Sequence, residues 1–113
     1  MTIPGIRREK ANYKTMSKTQ VLNNVDSIIA SSCDQFGLTM DEIKSPSREN
    51  RIVIPRMLTM HILRHKTLLT LEEIGTIFNR HHSTVVSAVT ATNNMIQTDE
   101  LIKEEYQKLA MKV

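Results

Sequence analysis

The stretch IGTIFNRHHSTVVSAV, residues 74–89, decides the fold. It follows TLEE at residues 70–73, which fits a capping box, where a Thr hydroxyl and a Glu carboxylate satisfy each other's backbone N–H groups at a helix start. Residues 79–81 interrupt the apolar spacing, and valines then recur at helical spacing from Val85. The sequence therefore predicts a helix-turn-helix at about residues 70–98, with a short helix, a tight turn and a long helix at about residues 82–98.

The residues on either side of this unit also show helical patterns. Apolar residues three or four apart, with capping residues, glycine or proline at the boundaries, predict four further helices. These helices run over residues 21–37, from Thr39 to near Lys44, from near residues 53–55, and from Asp99 to the C-terminus. In the last helix we expect four apolar side chains to face the core: Leu101, Ile102, Tyr106 and Leu109. The predicted fold class is all-α, with five to six helices.

Length and composition favour a single domain. The chain has 113 residues, of which 40% are hydrophobic, so we expect one helical domain over residues 20–113 and a flexible basic arm over residues 1–19. The single cysteine, Cys33, excludes an intramolecular disulfide. Since no apolar stretch approaches the length of a signal-peptide core or a membrane span, we expect a cytoplasmic protein that does not bind membranes.

The positive charge is concentrated in two segments. Residues 1–20 and residues 45–66 each carry five basic residues and one acidic residue, whereas residues 21–44 sum to −3 and residues 67–113 to −2. Such local positive charge is typical of a surface that meets phosphates, although it also suits a solvated charged face.

The outward face of the long predicted helix is polar but uncharged. It carries Ser83, Ser87, Thr90 and Asn94, where an ordinary solvated helix would carry Lys and Glu. Small side chains let a helix approach a groove closely, and recognition helices read base edges from their N-terminal residues. This pattern favours binding of double-stranded DNA.

Residues 48–98 resemble the C-terminal DNA-binding domain of the bacterial replication initiator DnaA. RENRIVIPR resembles the family's basic loop and Pro-Arg, TLEEIGTIF its Ser-Leu-x-Glu-Ile-Gly-x-x-Phe, and RHHSTV its Arg-Asp-His-Thr-Thr-Val. The resemblance implies a Trp-repressor-like helical domain that binds a nine-base-pair box, with the long helix in the major groove and the basic loop in the adjacent minor groove. It also implies a role in replication initiation or its regulation.

The resemblance implies a set of DNA-binding residues. Arg48 matches the minor-groove arginine, and Arg51 lies in the same basic block. The residues that match phosphate contacts are Arg56, Arg64, Thr70 and Leu71. The residues at the tip of the recognition helix and further along its groove-facing side are Arg80, His81, His82, Ser83, Thr84 and Ser87.

Two departures from the family pattern bear on which bases are read. Asn79 alone replaces two glycines before the arginine, so the turn is one residue shorter, and His81 replaces the family's Asp. An Asp accepts a hydrogen bond from a cytosine amino group, whereas a histidine N–H favours guanine O6 or N7. We therefore expect a preferred site that is related to the family's box but distinct from it.

Enzymatic alternatives are weaker. His61 and His65 lie four residues apart, and Cys33, His81 and His82 could add ligands, but no Cys-x-x-Cys or His-Glu-x-x-His motif accompanies them. Cys33 lies on the apolar face of the first helix, which does not suit an activated thiolate. No Gly-rich phosphate loop ending in Lys-Ser or Lys-Thr occurs among these residues. We expect no catalysis, no ATPase activity, no cofactor, no metal and no small-molecule substrate.

Two other functions remain open. A chain with this fold that had lost base reading would bind a replication protein or interfere with an initiator, and the altered helix tip permits that. A transcriptional regulator would use the same helix-turn-helix. Arginines at positions 48, 51, 56 and 80 favour DNA binding, because a surface freed from phosphates has no electrostatic reason to keep them.

Overall fold

Six helices form the part of the protein that the computed structural model describes, residues 18–113, with side chains described from Asn24 onward. They are α1 (Lys18–Phe36), α2 (Met40–Lys44), α3 (Asn50–Lys66), α4 (Leu71–Ile77), α5 (His82–Thr98) and α6 (Glu100–Lys112). No strand occurs between residues 18 and 113, so the predicted all-α class is confirmed. The predicted arm at residues 1–19 lies outside the described residues, except that Lys18 and Thr19 begin α1.

Helix α3 is the centre of the fold, since it packs against α1, α2, α4 and α5. Its residues from Leu58 to Leu63 are all buried, so the middle of the helix is enclosed on every side. The four-residue spacing of Ile54, Leu58 and Ile62 in the sequence therefore marks only part of the buried surface of α3. Burying each large aliphatic side chain contributes about 1.5–3 kcal/mol, so the buried hydrophobic residues of α3 make a large contribution to stability: Ile52, Leu58, Met60, Ile62 and Leu63.

The start of α3 was predicted too late. The helix begins at Asn50 rather than near residues 53–55, with the Glu49 carbonyl accepting hydrogen bonds from the Ile52 and Val53 N–H groups at 2.9 and 2.8 Å. Pro55 lies inside the helix, where its ring removes one N–H donor, and the helix continues through this buried residue. Helix α1 also begins earlier than predicted, at Lys18 rather than Val21.

The predicted helix boundaries with clear capping chemistry are confirmed. Thr39 and Thr70 each form a complete capping box with the Glu three residues later. Asp99 accepts hydrogen bonds from the Leu101 and Ile102 N–H groups at the start of α6. Gly37 ends α1 with a φ of +66°, a left-handed conformation that glycine adopts without strain.

Helix α6 buries a narrower face than predicted. Leu109 is fully buried, and Ile102 and Tyr106 are half-buried, but Leu101 is 74% exposed. Ile102, Tyr106 and Leu109 follow the four- and three-residue spacing of one helix face, and Leu101 lies one residue out of phase with it. Within residues 18–113, no helix has the length and apolar character needed to cross a bilayer.

Candidate nucleic-acid interface

The turn between α4 and α5 is built from local contacts. The Arg80 N–H donates to the Gly75 carbonyl at 2.7 Å, which folds the turn back onto α4. A Cβ on Gly75 would collide with the Arg80 carbonyl oxygen, so only glycine allows this close approach. Asn79 has a φ of +54°, the left-handed conformation that asparagine tolerates better than most residues. The predicted helix-turn-helix is confirmed, and a single left-handed residue is enough to make its turn.

The first turn of α5 forms an exposed tip. His81 is its N-cap, with Nδ1 accepting a hydrogen bond from the Ser83 N–H at 3.2 Å and lying 2.8 Å from Ser83 Oγ. Because Nδ1 accepts, the neutral imidazole carries its proton on Nε2, which can donate to another molecule. His82, Ser83 and Thr84 are exposed, and the His82 ring lies 4.2 Å from that of His81, centroid to centroid.

The outward face of α5 continues from this tip. Ser83, Ser87, Thr90 and Asn94 are all exposed, as predicted, while Val85 on the opposite side is buried. Val86 adds an apolar element that the sequence did not predict, since it is 43% exposed. A groove of about 270 Å³ runs beside this face, between α5 and α3. Its lining residues are Val53, Arg56, Met57, Met60, Arg80, Thr84, Ser87, Ala88 and Ala91. The face combines hydrogen-bonding groups with methyl groups, as base edges require.

The loop at residues 45–49, between α2 and α3, carries Arg48 and Glu49 and is called the basic loop after its counterpart in the family. Hydrogen bonds within the loop order its backbone: the Ser47 N–H donates to Ser45 Oγ at 3.3 Å, and the Glu49 N–H donates to Ser47 Oγ at 3.2 Å. The Arg48 side chain is exposed at the end of this loop. Because the backbone beneath it is ordered, Arg48 projects from a defined position.

Arg51 is exposed next to the loop but is engaged by acidic residues. Its Nη2 lies 3.2 Å from Glu42 Oε2, and its Nε lies 3.3 Å from Glu49 Oε2. The Thr39 N–H and Arg51 both lower the pKa of Glu42, and the two carboxylates raise the pKa of Arg51. Arg51 was predicted to bind DNA, but two neighbouring carboxylates already offset its positive charge.

Arg56 and Arg80 lie below the exposed residues. The Arg56 side chain is only 7% exposed and donates from Nε to the Ile43 carbonyl at 2.9 Å. Its Nη2 donates to the Ser45 and Ser47 carbonyls at 2.7 and 3.1 Å. Arg80 is half-buried and also donates to the Ser45 carbonyl, at 2.5 Å. The sequence predicted both arginines as DNA contacts and did not predict their carbonyl partners.

The remaining phosphate-contact candidates meet at the start of α4. Arg64 is exposed, and its Nη1 donates to the Leu69 carbonyl at 3.3 Å. Thr70 is exposed as the N-cap, and Leu71 begins the helix with its side chain half-buried against the core. The Leu69 carbonyl thus places the Arg64 guanidinium next to the start of α4, where Thr70 and Leu71 lie.

The residues considered for metal binding or nucleophilic catalysis have other partners. His61 is buried, with Nδ1 2.8 Å from the Tyr106 hydroxyl and Nε2 2.6 Å from Asn93 Oδ1. Burial lowers the pKa of His61, and it raises the pKa of the buried Cys33 thiol, which lies 3.8 Å from the Met40 sulfur. From residue 18 onward, no three His, Cys, Asp or Glu side chains are grouped so that they could hold a metal ion.

The fold and this surface define an all-α helix-turn-helix domain with a basic loop beside the N-terminal end of its long helix. Residues 25–91, more than half of the chain, match the family described as bacterial dnaA protein helix-turn-helix. The chain belongs to this family.

Chromosomal replication initiator proteins DnaA are similar to the chain over most of its length. The protein of Oleidesulfovibrio alaskensis is 36% identical over 73 residues, which cover 65% of this chain and 16% of that protein. That of Mycoplasma pneumoniae is 35% identical over 96 residues, covering 85% of this chain and 20% of that protein. That of Mycoplasma genitalium is 31% identical over 103 residues, covering 91% and 22%. The chain spans about a fifth of the length of these relatives.

Proposed function

We propose that this chain binds double-stranded DNA in a sequence-dependent way and acts in replication initiation or its regulation, in the cytoplasm and without hydrolysing ATP. The observation that carries the proposal is the exposed tip and uncharged outer face of α5 beside the ordered basic loop. Helix-turn-helix proteins place this part of the second helix in the major groove. The names of the related initiators support the replication role.

Each part of the surface has a proposed task. Ser83, Thr84 and Ser87 face the major groove, with His81 and His82 at its edge, while Arg48 enters the adjacent minor groove. Arg64, the Thr70 hydroxyl and the Leu71 backbone bind phosphates on the other side of the turn. The polar residues of α5 then read base edges, and the flanking cations supply affinity that does not depend on sequence.

A fluorescence-anisotropy titration with random-sequence duplex DNA at several salt concentrations tests the proposal. The slope of log affinity against log salt concentration should be negative, by about 0.9 for each phosphate that a cation neutralises. Salt-independent binding, or no binding at low salt, would reject DNA binding and favour a protein-interaction module. Selection from a random duplex library then tests whether the protein prefers one sequence.

A further inference from the structure

Two arginines from different parts of the chain donate hydrogen bonds to one backbone oxygen. The Ser45 carbonyl accepts from Arg56 Nη2 at 2.7 Å and from Arg80 Nη2 at 2.5 Å. A carbonyl oxygen has two lone pairs, so it can accept both bonds. Ser45 begins the basic loop, Arg56 lies in the central helix and Arg80 in the turn before α5. This oxygen therefore joins the two elements that the proposed function places in the two DNA grooves.

Arg56 fixes the path of the whole loop. Its three acceptors are the carbonyls of Ile43, Ser45 and Ser47, which alternate along the segment from the end of α2 to the residue before Arg48. The planar guanidinium donates in fixed directions, so it holds these carbonyls in one arrangement. With only 7% of its surface exposed, the side chain lies under the loop rather than beyond it.

Arg80 holds the turn in the same way. Besides the Ser45 carbonyl, it donates to the Phe78 carbonyl at 2.8 Å and to the Asn79 carbonyl at 3.4 Å. Burial lowers the pKa of Arg56, and the nearby Arg80 charge lowers it further, so the two cations repel each other. The hydrogen bonds to the shared Ser45 carbonyl oxygen hold the two guanidinium groups close together despite this repulsion.

We propose that Arg56 and Arg80 are positioning residues, which lock the basic loop to the helix-turn-helix so that Arg48 and the tip of α5 reach DNA in one fixed register. This inference rests on the proposed function. It differs from the role that the family resemblance implies for Arg56, a direct phosphate contact. The two roles have different consequences for sequence preference, for salt dependence and for the loop in the absence of DNA.

The first test uses the full chain without DNA. Hydrogen exchange is followed at the Ser47 and Glu49 amides of the loop, with the Thr67 amide, bonded to the Leu63 carbonyl at 3.2 Å, as an internal reference. Arg56→Gln and Arg80→Gln should each speed exchange at the loop amides on the order of tenfold and leave Thr67 unchanged. The matched control is Arg64→Gln, an exposed arginine of the same helix with one carbonyl partner, which should leave the loop unchanged. Loop exchange that does not respond to Arg56→Gln or Arg80→Gln would overturn the inference.

The second test uses a double-mutant cycle between Arg56→Gln and Arg48→Ala. The probe is the duplex that wild-type protein selects from a random library, synthesised with A·T-rich or G·C-rich flanks. Narrow A·T-rich minor grooves attract an inserted arginine, so wild type should prefer the A·T-rich flanks. If Arg56 positions Arg48, each single variant loses this preference to the same extent, and the double variant loses no more.

The two variants behave differently if Arg56 does not position Arg48. A phosphate contact by Arg56 predicts equal weakening on both duplexes, retained flank preference, and a salt slope flattened by about one in the Arg48→Ala background. Arg56→Lys separates the roles once more, because a lysine supports a phosphate contact as a point charge but cannot hold three carbonyls as a guanidinium does. Positioning requires Arg56→Lys to behave like Arg56→Gln, and rescue by lysine would overturn it. Failure of wild type to bind any duplex would instead reject the proposed function, and the inference with it.

Discussion

The helix-turn-helix and the basic loop lie side by side but are held in different ways. The turn between α4 and α5 is shaped by residues within it or close to it in the sequence: Gly75 of α4, Asn79 and the His81 cap. The loop at residues 45–49 is tied to the rest of the fold by arginines 9 to 35 residues further along the chain. A change in the turn that leaves Arg80 in place should therefore alter the reading helix alone, whereas the loop responds to changes at Arg56 and Arg80.

Gly75→Ala is the strongest test of whether the turn between α4 and α5 is fixed by residues in and next to it. Alanine normally stabilises a helix interior over glycine by about 1 kcal/mol, but here the added Cβ would collide with the backbone carbonyl of Arg80. We expect a net loss of about 3 kcal/mol in the free energy of unfolding, because a backbone atom cannot move aside as a flexible side chain can. Urea denaturation measures this loss.

The matched control for that change is Thr76→Ala, the exposed neighbour on the same helix, which should stay within about 0.5 kcal/mol of wild type. A Gly75→Ala protein as stable as the control would show that the turn is not fixed by this close approach, and the locally determined geometry would have to be abandoned.

His81→Asp tests whether the tip can be changed without disturbing the rest. Asp is a good N-cap, so one carboxylate oxygen should replace Nδ1 as acceptor for the Ser83 N–H and preserve α5. The other oxygen can accept from a cytosine amino group, where the His81 Nε2–H favours guanine. We expect a swing of about 2 kcal/mol toward cytosine at one position of the selected site.

Library selection with wild type and His81→Asp measures that swing, and His65→Asp is the matched control because it makes the same change at an exposed histidine outside the proposed interface. Identical consensus sequences for wild type and His81→Asp would show that residue 81 caps the helix without facing the bases. The N-cap geometry is the physical reason such a result could arise.

Features that depend on neighbouring residues were predicted from the sequence, whereas a feature that depends on distant residues was not. The capping box at Thr70, the turn at residues 79–81 and the bounds of α5 depend on neighbouring residues, and all were predicted. The inward position of Arg56 depends on carbonyls 9 to 13 residues earlier, whose directions follow from the loop path. One signal was present: Arg56 lies four residues after Ile52, on the helix face that is buried, and a phosphate contact predicts an exposed position.

His61 extends the comparison to the far end of α5. Its Nε2–H donates to Asn93 in α5, and Nδ1 accepts from the Tyr106 hydroxyl of α6, so a residue of α3 holds both helices. The Tyr106 bond requires the neutral ring, because Nδ1 accepts in it, whereas the Asn93 bond is kept in either form and raises the pKa of His61. Since burial lowers the folded-state pKa of His61 and the nearby His65 lowers it further, the unfolded chain binds the proton more readily. This contribution to stability is therefore present above the unfolded pKa of about 6.5 and is lost as pH falls through the lower folded-state value.

Thermal melts between pH 7.5 and pH 5 should show this loss in wild type. His61→Gln should be less stable at pH 7.5 by about 1 to 1.5 kcal/mol, because one buried hydrogen bond is lost, and its melting temperature should fall less toward pH 5. His82→Gln is the control, since His82 is exposed at the start of α5. An unchanged pH dependence in His61→Gln would show that the α3–α5–α6 contact does not depend on the neutral ring.

Replacing Asn79 by glycine should have the smallest effect on the free energy of unfolding. It also tests whether the turn is fixed by its own residues. Its φ of +54° costs most L residues about 1 kcal/mol or more, a cost that glycine avoids and asparagine partly avoids. Asn79→Gly gains from this relief but loses a similar amount through the larger entropy of the unfolded chain, so stability should stay within about 0.5 kcal/mol of wild type. Asn79→Val, with a β-branched side chain in the left-handed region, should lose clearly more.

If the turn is fixed by its own residues, Asn79→Gly should also leave hydrogen exchange at the Ser47 and Glu49 amides unchanged. Faster loop exchange in Asn79→Gly would mean that the backbone conformation of Asn79, and not only the Arg80 side chain, sets the position of the loop, since Arg80 bonds both the Asn79 carbonyl and the Ser45 carbonyl.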